Sequence, residues 1–179
     1  PVRECNYYDL DRSVSYIIHN NIKDDKTSSD RGLRNVTMLE RIVAEGGDQR
    51  MNMYYGNSLI EVGRLEEALE QFTKYLEESQ WDEEKYQVIL RMGTIYRELD
   101  MLDMAEMMCF KAIKEIPTAN MAYLALAELS VINKKWNDVI HWVSIFGEAE
   151  TLSDGMIHNP MTTEVQPLIL LQRAYVELG

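Results

Sequence analysis

Residues 53–76 read MYYGNSLIEVGRLEEALEQFTKYL, two amphipathic segments on either side of a glycine. Met53, Tyr55, Leu59 and Ile60 recur at helical spacing and mark the apolar face of a first helix. Val62-Gly63-Arg64 interrupts the pattern, because glycine accepts the left-handed conformation that commonly ends a helix. Leu65, Ala68, Leu69, Phe72, Tyr75 and Leu76 then form the face of a second helix. The stretch predicts a helical hairpin.

The hairpin repeats. Gly56, Leu59, Leu65, Ala68 and Phe72 return 37 residues later as Gly93, Tyr96, Leu102, Ala105 and Cys109. A further 34 residues on they become Ala127, Ser130, Trp136, Val139 and Val143, so small positions stay small and most large apolar positions stay large. The second unit turns at Leu99-Asp100-Met101 and is stopped by Pro117; the third turns at Asn133-Lys134-Lys135. The units are placed at about 49–82, 86–117 and 120–147. Gly147 to Met161 reads as a long loop, and Leu168, Leu171, Ala174, Tyr175 and Leu178 restore the helical period in a half repeat over 162–179. Upstream, Leu33, Val36, Leu39, Ile42 and Val43 predict a capping helix over 33–45, ended by Gly46-Gly47. Residues 1–31 differ in kind: Ser13 to Ile18 is rich in β-branched and aromatic residues and predicts a strand, and Asn20 to Asp30 predicts a polar loop. The expected fold is an all-α solenoid over 32–179, with a short strand-bearing segment in front of it.

Composition narrows the function classes. Thirty acidic against eighteen basic residues leave a formal charge of −12, which repels phosphate backbones and anionic lipid and argues against nucleic-acid binding. No apolar run approaches the length of a membrane span, and the N-terminus lacks a signal-peptide core. Cys5 and Cys109 are far apart and without CxxC spacing, so neither a disulfide framework nor a zinc site is expected and a cytoplasmic location is the default. Neither GxGxxG nor GxxxxGK[ST] occurs. The missing initiator methionine and the half repeat predict a chain cut from something longer.

The repeat resembles the tetratricopeptide repeat, whose pattern places a large and a small residue at positions seven and eight, a small one at twenty, an aromatic one at twenty-four and often proline at thirty-two. Tyr55-Gly56, Ala68 and Phe72 match in the first unit. Met92-Gly93, Ala105 and Pro117 match in the second, with Cys109 in the aromatic slot; the third keeps Leu126-Ala127 and Val139. The resemblance covers about residues 48–179 and implies stacked hairpins with a concave groove lined by the first helix of each pair. On that scheme the groove candidates are Met53, Asn57, Ile60, Leu90, Thr94, Arg97, Leu124, Glu128 and Val131, the apolar ones either facing a ligand or packing against neighbouring helices. It implies a protein or peptide partner. Adaptors of this type that grip a C-terminal carboxylate use lysine, asparagine, asparagine, lysine and arginine. Here those places hold Met53, Asn57, Arg91, Met121 and Ala125, which removes most of the charge-assisted hydrogen bonding.

The N-terminal part is similar to bacterial family-2 glycosyltransferases, in which a catalytic α/β domain runs into a C-terminal tetratricopeptide array. The similarity lies in Pro1-Val2-Arg3-Glu4, Ile17-Ile18-His19, Arg34-Asn35-Val36, Leu39-Glu40 and the Tyr175 to Gly179 ending. It implies that residues 1–31 are the tail of a preceding catalytic domain, and that the repeats position a protein or glycan acceptor. A nucleotide sugar and a divalent metal would be held upstream of Pro1, so this chain alone is expected to be inactive and to carry no cofactor. Arg3 stands where such enzymes have a histidine, and a guanidinium cannot bind a divalent cation. The alternative is a stand-alone adaptor with a peptide in its groove, and self-association through the Leu168 to Leu178 face is a third reading.

Other features have bland readings beside the functional ones. His19 with Asp24 and Asp25 has carboxylate and imidazole donors for a cation, or is a strand-end histidine before a solvated loop. His141 and His158 have no nucleophile arrangement near them and read as surface residues. Glu66, Glu67, Glu70, Glu77, Glu78, Asp82, Glu83 and Glu84 form either a docking surface for a basic partner or a solvated outer face. Of the tryptophans, Trp136 is expected in the core, Trp142 is a candidate anchor, and Trp81 is the exposed one.

Overall fold

The computed structural model describes residues 25–150 and 161–179. Among them run eight α-helices: α1 Asp25–Ala44, α2 Arg50–Glu61, α3 Leu65–Glu78, α4 Asp82–Glu98, α5 Leu102–Glu115, α6 Met121–Ile132, α7 Trp136–Glu148 and α8 Gln166–Leu178. A single π-helical turn, Met161–Val165, leads into α8. Helices α2 and α3, α4 and α5, and α6 and α7 pack as antiparallel hairpins, α1 lies on α2, and α8 closes the stack against α7 and α6.

The turns are built alike. Gly63, Asp100 and Lys134 occupy equivalent positions and all take positive φ, 78°, 59° and 56°. In each the left-handed residue bonds three back, and the next residue donates five back: Arg64 N–H to Leu59 O at 2.9 Å, Met101 N–H to Tyr96 O at 2.8 Å, Lys135 N–H to Ser130 O at 2.9 Å. This is the Schellman closure, which satisfies carbonyls at the end of a helix and reverses the chain at once. Gly179, directly after α8, also takes positive φ, 86°.

Packing within a hairpin follows from the small residues. A Cβ on Gly56 would stand 2.5 Å from the Phe72 ring, and Phe72 and Ala68 are completely buried. Between units, the buried Tyr86 hydroxyl accepts the Ala122 N–H at 2.9 Å, which holds the start of α6 on α4. Glu84 takes the Tyr75 hydroxyl and the Arg50 guanidinium (3.0 Å), joining α3, α4 and α2. The linker after α5 is pinned by a short parallel bridge: Glu150 N–H donates to Thr118 O at 2.7 Å and Asn120 N–H to Glu150 O at 2.9 Å.

Three element boundaries differ from the sequence reading. Helix α1 begins at Asp25, inside the expected polar loop, because polarity does not stop a helix and no proline or glycine intervenes before Gly32. The second unit begins at Asp82 instead of 86, since Asp82, Glu83 and Glu84 favour the positive end of a helix dipole. The Gly147 to Met161 loop starts only after Glu148. The strand expected over Ser13 to Ile18 lies outside the described residues.

Candidate interaction groove

Because each hairpin reverses the chain, α2, α4, α6 and α8 run in one direction, and their exposed faces share one surface. A line of polar contacts crosses it from helix to helix. Arg91 on α4 donates to Asn57 Oδ1 on α2 at 3.0 Å. Arg97 on α4 pairs with Glu128 Oε2 on α6, and Gln166 Nε2 at the start of α8 donates to the other Glu128 oxygen at 2.8 Å. Glu128 is thus held from both sides.

Two hollows open between these contacts. One, of about 330 Å³, lies between α2 and α4 and is lined by Asn57, Ile60, Arg91, Thr94, Ile95 and Glu98. The other, of about 150 Å³, lies between α4 and α6; Leu90, Thr94, Leu124 and Leu129 form its walls, and Arg97, Glu128 and Thr162 its rim. Thr94 lines both, so they are neighbours along one face. The second owes its floor to a departure from the repeat pattern. Where the first unit has Phe72 packed on Gly56, the second has Cys109 in the same slot with Met108 nearest to Gly93, and Gly93 and Cys109 both line the cavity. Burial, helped by the carboxylates of Glu106 and Glu128, pushes the Cys109 thiol up to about 12, so it stays protonated and behaves as a small apolar surface.

Seven of the nine groove candidates line one or both hollows: Asn57, Ile60, Leu90, Thr94, Arg97, Leu124 and Glu128. Met53 and Val131 line neither and are buried. Met53 packs in the core of the first two units, and Val131 in the core that α8 closes through Leu170 and Ala174. Arg91, Met121 and Ala125, named above only as the places that grip a carboxylate in related adaptors, also line the hollows, whereas Gln166 was named in neither set. Arg91 stands one turn before Ile95 and two before Glu98, a spacing that places it on the groove face. Gln166 has no such signal, since the loop before α8 hides its register.

The remaining sequence candidates are placed as follows. Trp81 is 60% exposed, with the Arg50 guanidinium 4.8 Å above its ring. Trp136 is half-buried instead of fully enclosed, because it packs at the edge of the last core with Arg173 5.8 Å from its ring. Trp142 is half-buried between Phe110 and Tyr123. His141 is exposed beside Trp142. The acidic cluster is largely exposed, with Glu67 paired to Arg64 and Glu84 to Arg50. His19, Asp24, His158 and Cys5 lie outside the described residues. Among the described residues no three His, Cys, Asp or Glu side chains are grouped to hold a metal, and no helix is long and apolar enough to cross a membrane.

No protein-family model matches this chain, and no curated protein matches it in sequence. Among solved structures it is similar to pilF of Pseudomonas aeruginosa, at 13% identity and a TM-score of 0.54, over 88% of this chain and 76% of that one. The likeness supports an all-α, tetratricopeptide-like array. No comparison supports the glycosyltransferase resemblance, and Pro1 to Glu4 and Ile17 to His19, which carry much of it, lie outside the described residues.

Proposed function

We propose that this chain is a protein-interaction module whose concave face holds a peptide segment of a partner protein. The observation that carries the reading is the continuity of the two hollows through Thr94, on a surface already ordered by the Asn57–Arg91 and Arg97–Glu128–Gln166 contacts. A segment lying across α2, α4 and α6 finds apolar recesses for its side chains and no floor that must first be arranged. Candidate contact residues are Asn57, Ile60, Leu90, Thr94, Arg97, Leu124 and Glu128. The test is titration of display-selected peptides against the wild type and against Thr94→Arg, which fills the junction of the hollows from an exposed position. A loss of tenfold or more in Thr94→Arg, with Lys111→Glu on the outer face binding as the wild type does, supports the groove. Equal binding by Thr94→Arg overturns it.

In a longer parent the same face would position a protein or glycan acceptor for a glycosyltransferase domain. That domain would hold the nucleotide sugar and its divalent metal, as the resemblance implies. The short matches around Pro1 to Glu4, Ile17 to His19 and Arg34 to Glu40 support this reading. A native species much larger than 20.8 kDa that hydrolyses a nucleotide sugar would bear it out. A native species of about this mass leaves the stand-alone adaptor, whose cytoplasmic location cell fractionation would test. Self-association is supported by the exposure of Leu168 (65%), Tyr175 (59%) and Val176 (73%) on α8. Light scattering over a concentration series decides it, and a strict monomer removes it.

A further inference from the structure

The cavity between α4 and α6 has a precedent inside the molecule. In the first hairpin the Phe72 ring rests on Gly56, closer than a Cβ at position 56 would allow, and is completely enclosed. The second hairpin keeps the glycine, as Gly93, but carries Cys109 in the slot of the ring. Met108 approaches Gly93, its Cβ lying 3.3 Å from where one on Gly93 would stand. Gly93 and Cys109 nevertheless still line an open space of about 150 Å³. The second hairpin therefore has a seat for a ring and no ring of its own. An apolar cavity of roughly 150 Å³ is large enough to admit benzene.

The walls favour an aromatic group, and an uncharged one. Leu90, Leu124 and Leu129 offer apolar contact, and the sulfur atoms of Met121 and Cys109 add favourable contact with a ring. The Thr94 hydroxyl already donates to Leu90 O at 3.2 Å, so a hydroxyl carried into the cavity finds few partners and would be costly to bury. Arg97 and Glu128, the charged residues of the rim, pair with each other. The neighbouring hollow likewise has one cation, Arg91, and one carboxylate, Glu98. Such a balanced lining rewards neither sign of charge on an occupant.

We infer that this cavity is an aromatic anchor site, which takes a phenylalanine side chain from an uncharged stretch of the partner peptide and so receives from outside the ring that the second hairpin lacks. The source of the ring rests on the groove being the binding face, whereas the seat itself does not depend on that reading. Cys109 is then the residue that sets specificity, because its small side chain is what leaves the seat open. Phenylalanine is selected over tryptophan, whose indole is larger than the space, and over tyrosine, whose hydroxyl would lack a partner.

Toluene is the probe for the seat, and a random dodecapeptide display is the probe for the partner. Toluene should shift the methyl resonances of Leu90, Met121, Leu124 and Leu129 in the wild type and leave them unmoved in Cys109→Phe, which restores the ring. Ala125→Leu, which enters the cavity from a half-buried position on α6, is a second blocking variant should Cys109→Phe fail to fold, and circular dichroism checks both. Peptides selected on the wild type should carry phenylalanine and no net charge. They should weaken roughly tenfold or more on the blocking variants, and equally when that phenylalanine is replaced by alanine. Raising salt from 50 to 300 mM should change their affinity by less than about twofold. Toluene that leaves these methyls unmoved in the wild type, or moves them as much in the blocking variants, overturns the inference. Selected peptides that lack an aromatic residue and bind the blocking variants as they bind the wild type also overturn it; if Thr94→Arg still abolishes their binding, the groove stands without the anchor. Toluene in the seat, with no peptide sensitive to the blocking variants or to Thr94→Arg, overturns the supply of the ring by a peptide and the groove reading with it.

Discussion

The Phe72 ring lies directly on Gly56, so close that a Cβ at position 56 would meet Cε1 at 2.5 Å and Cδ1 at 2.7 Å. Phe72 is wholly enclosed and cannot give way. Gly56→Ala should therefore lower stability by about 1–3 kcal/mol through overpacking, despite the better helix propensity of alanine. At Gly93 the nearest atom is Met108 Cβ at 3.3 Å, a smaller intrusion that the gain in propensity (~1 kcal/mol) should offset. Gly93→Ala is expected to stay within about 1 kcal/mol of the wild type. Urea denaturation of the two variants separates them, and equal losses would refute the difference in packing.

The left-handed turn residues give a second, opposite pair. Lys134 holds φ of 56° with a side chain that disfavours it, so Lys134→Gly should raise stability by about 1 kcal/mol. Asp100 tolerates the same conformation better, and Asp100→Gly should gain less. Thermal melts of the two variants are the check, and a loss at Lys134→Gly would show that the Schellman turn is not limiting there.

Tyr86→Phe removes the acceptor for the Ala122 N–H at 2.9 Å and leaves that donor buried without a partner. The expected cost is about 1–3 kcal/mol. Hydrogen exchange should show the loss first at the start of α6, and unchanged protection there would mean that the bond contributes little.

Burial pushes the Tyr86 hydroxyl from 10.0 up to about 12 and the Cys109 thiol from 9.0 up to about 12. Both groups are neutral in the fold over a range where the unfolded chain has released its protons. Above pH 9 the unfolded state therefore binds fewer protons than the native one, and stability falls as pH rises. The thiol contributes from pH 9 to 12 and the phenol from 10 to 12. The urea midpoint should decline through this range, and Cys109→Ala should flatten the part that begins near pH 9, whatever its effect at neutral pH. A midpoint that is flat between pH 8 and 11 would contradict the burial of both groups.

Much of this architecture was legible in the residues themselves. The repeated small positions at Gly56, Gly93 and Ala127 and the breaks at Gly63, Asp100 and Lys134 set hairpin order and register, because close packing and left-handed turns constrain residue type locally. Helix starts were less legible. At Asp25 and Asp82 polar and acidic residues are compatible with both loop and first turn, and only tertiary packing decides. Seven of the candidate positions line the two hollows, whereas Met53 and Val131 are buried in cores that α1 and α8 help to close. The polar line across the groove was half visible. Asn57, Arg97 and Glu128 follow from the repeat, but Gln166 depends on how the chain returns after α7, which no local pattern encodes. The cavity at Cys109 shows the converse, since one residue that breaks the aromatic slot opens a feature that the consensus would have filled.

The concave face is most directly tested by recording amide chemical shifts of the labelled protein as a display-selected peptide is added. A ligand in the groove shifts Asn57, Ile60, Leu90, Thr94 and Glu128 on α2, α4 and α6, and leaves the outer faces of α3, α5 and α7 unchanged. Shifts centred on Glu70, Lys111 or His141, with Thr94 unmoved, would place binding on the convex surface and contradict the groove.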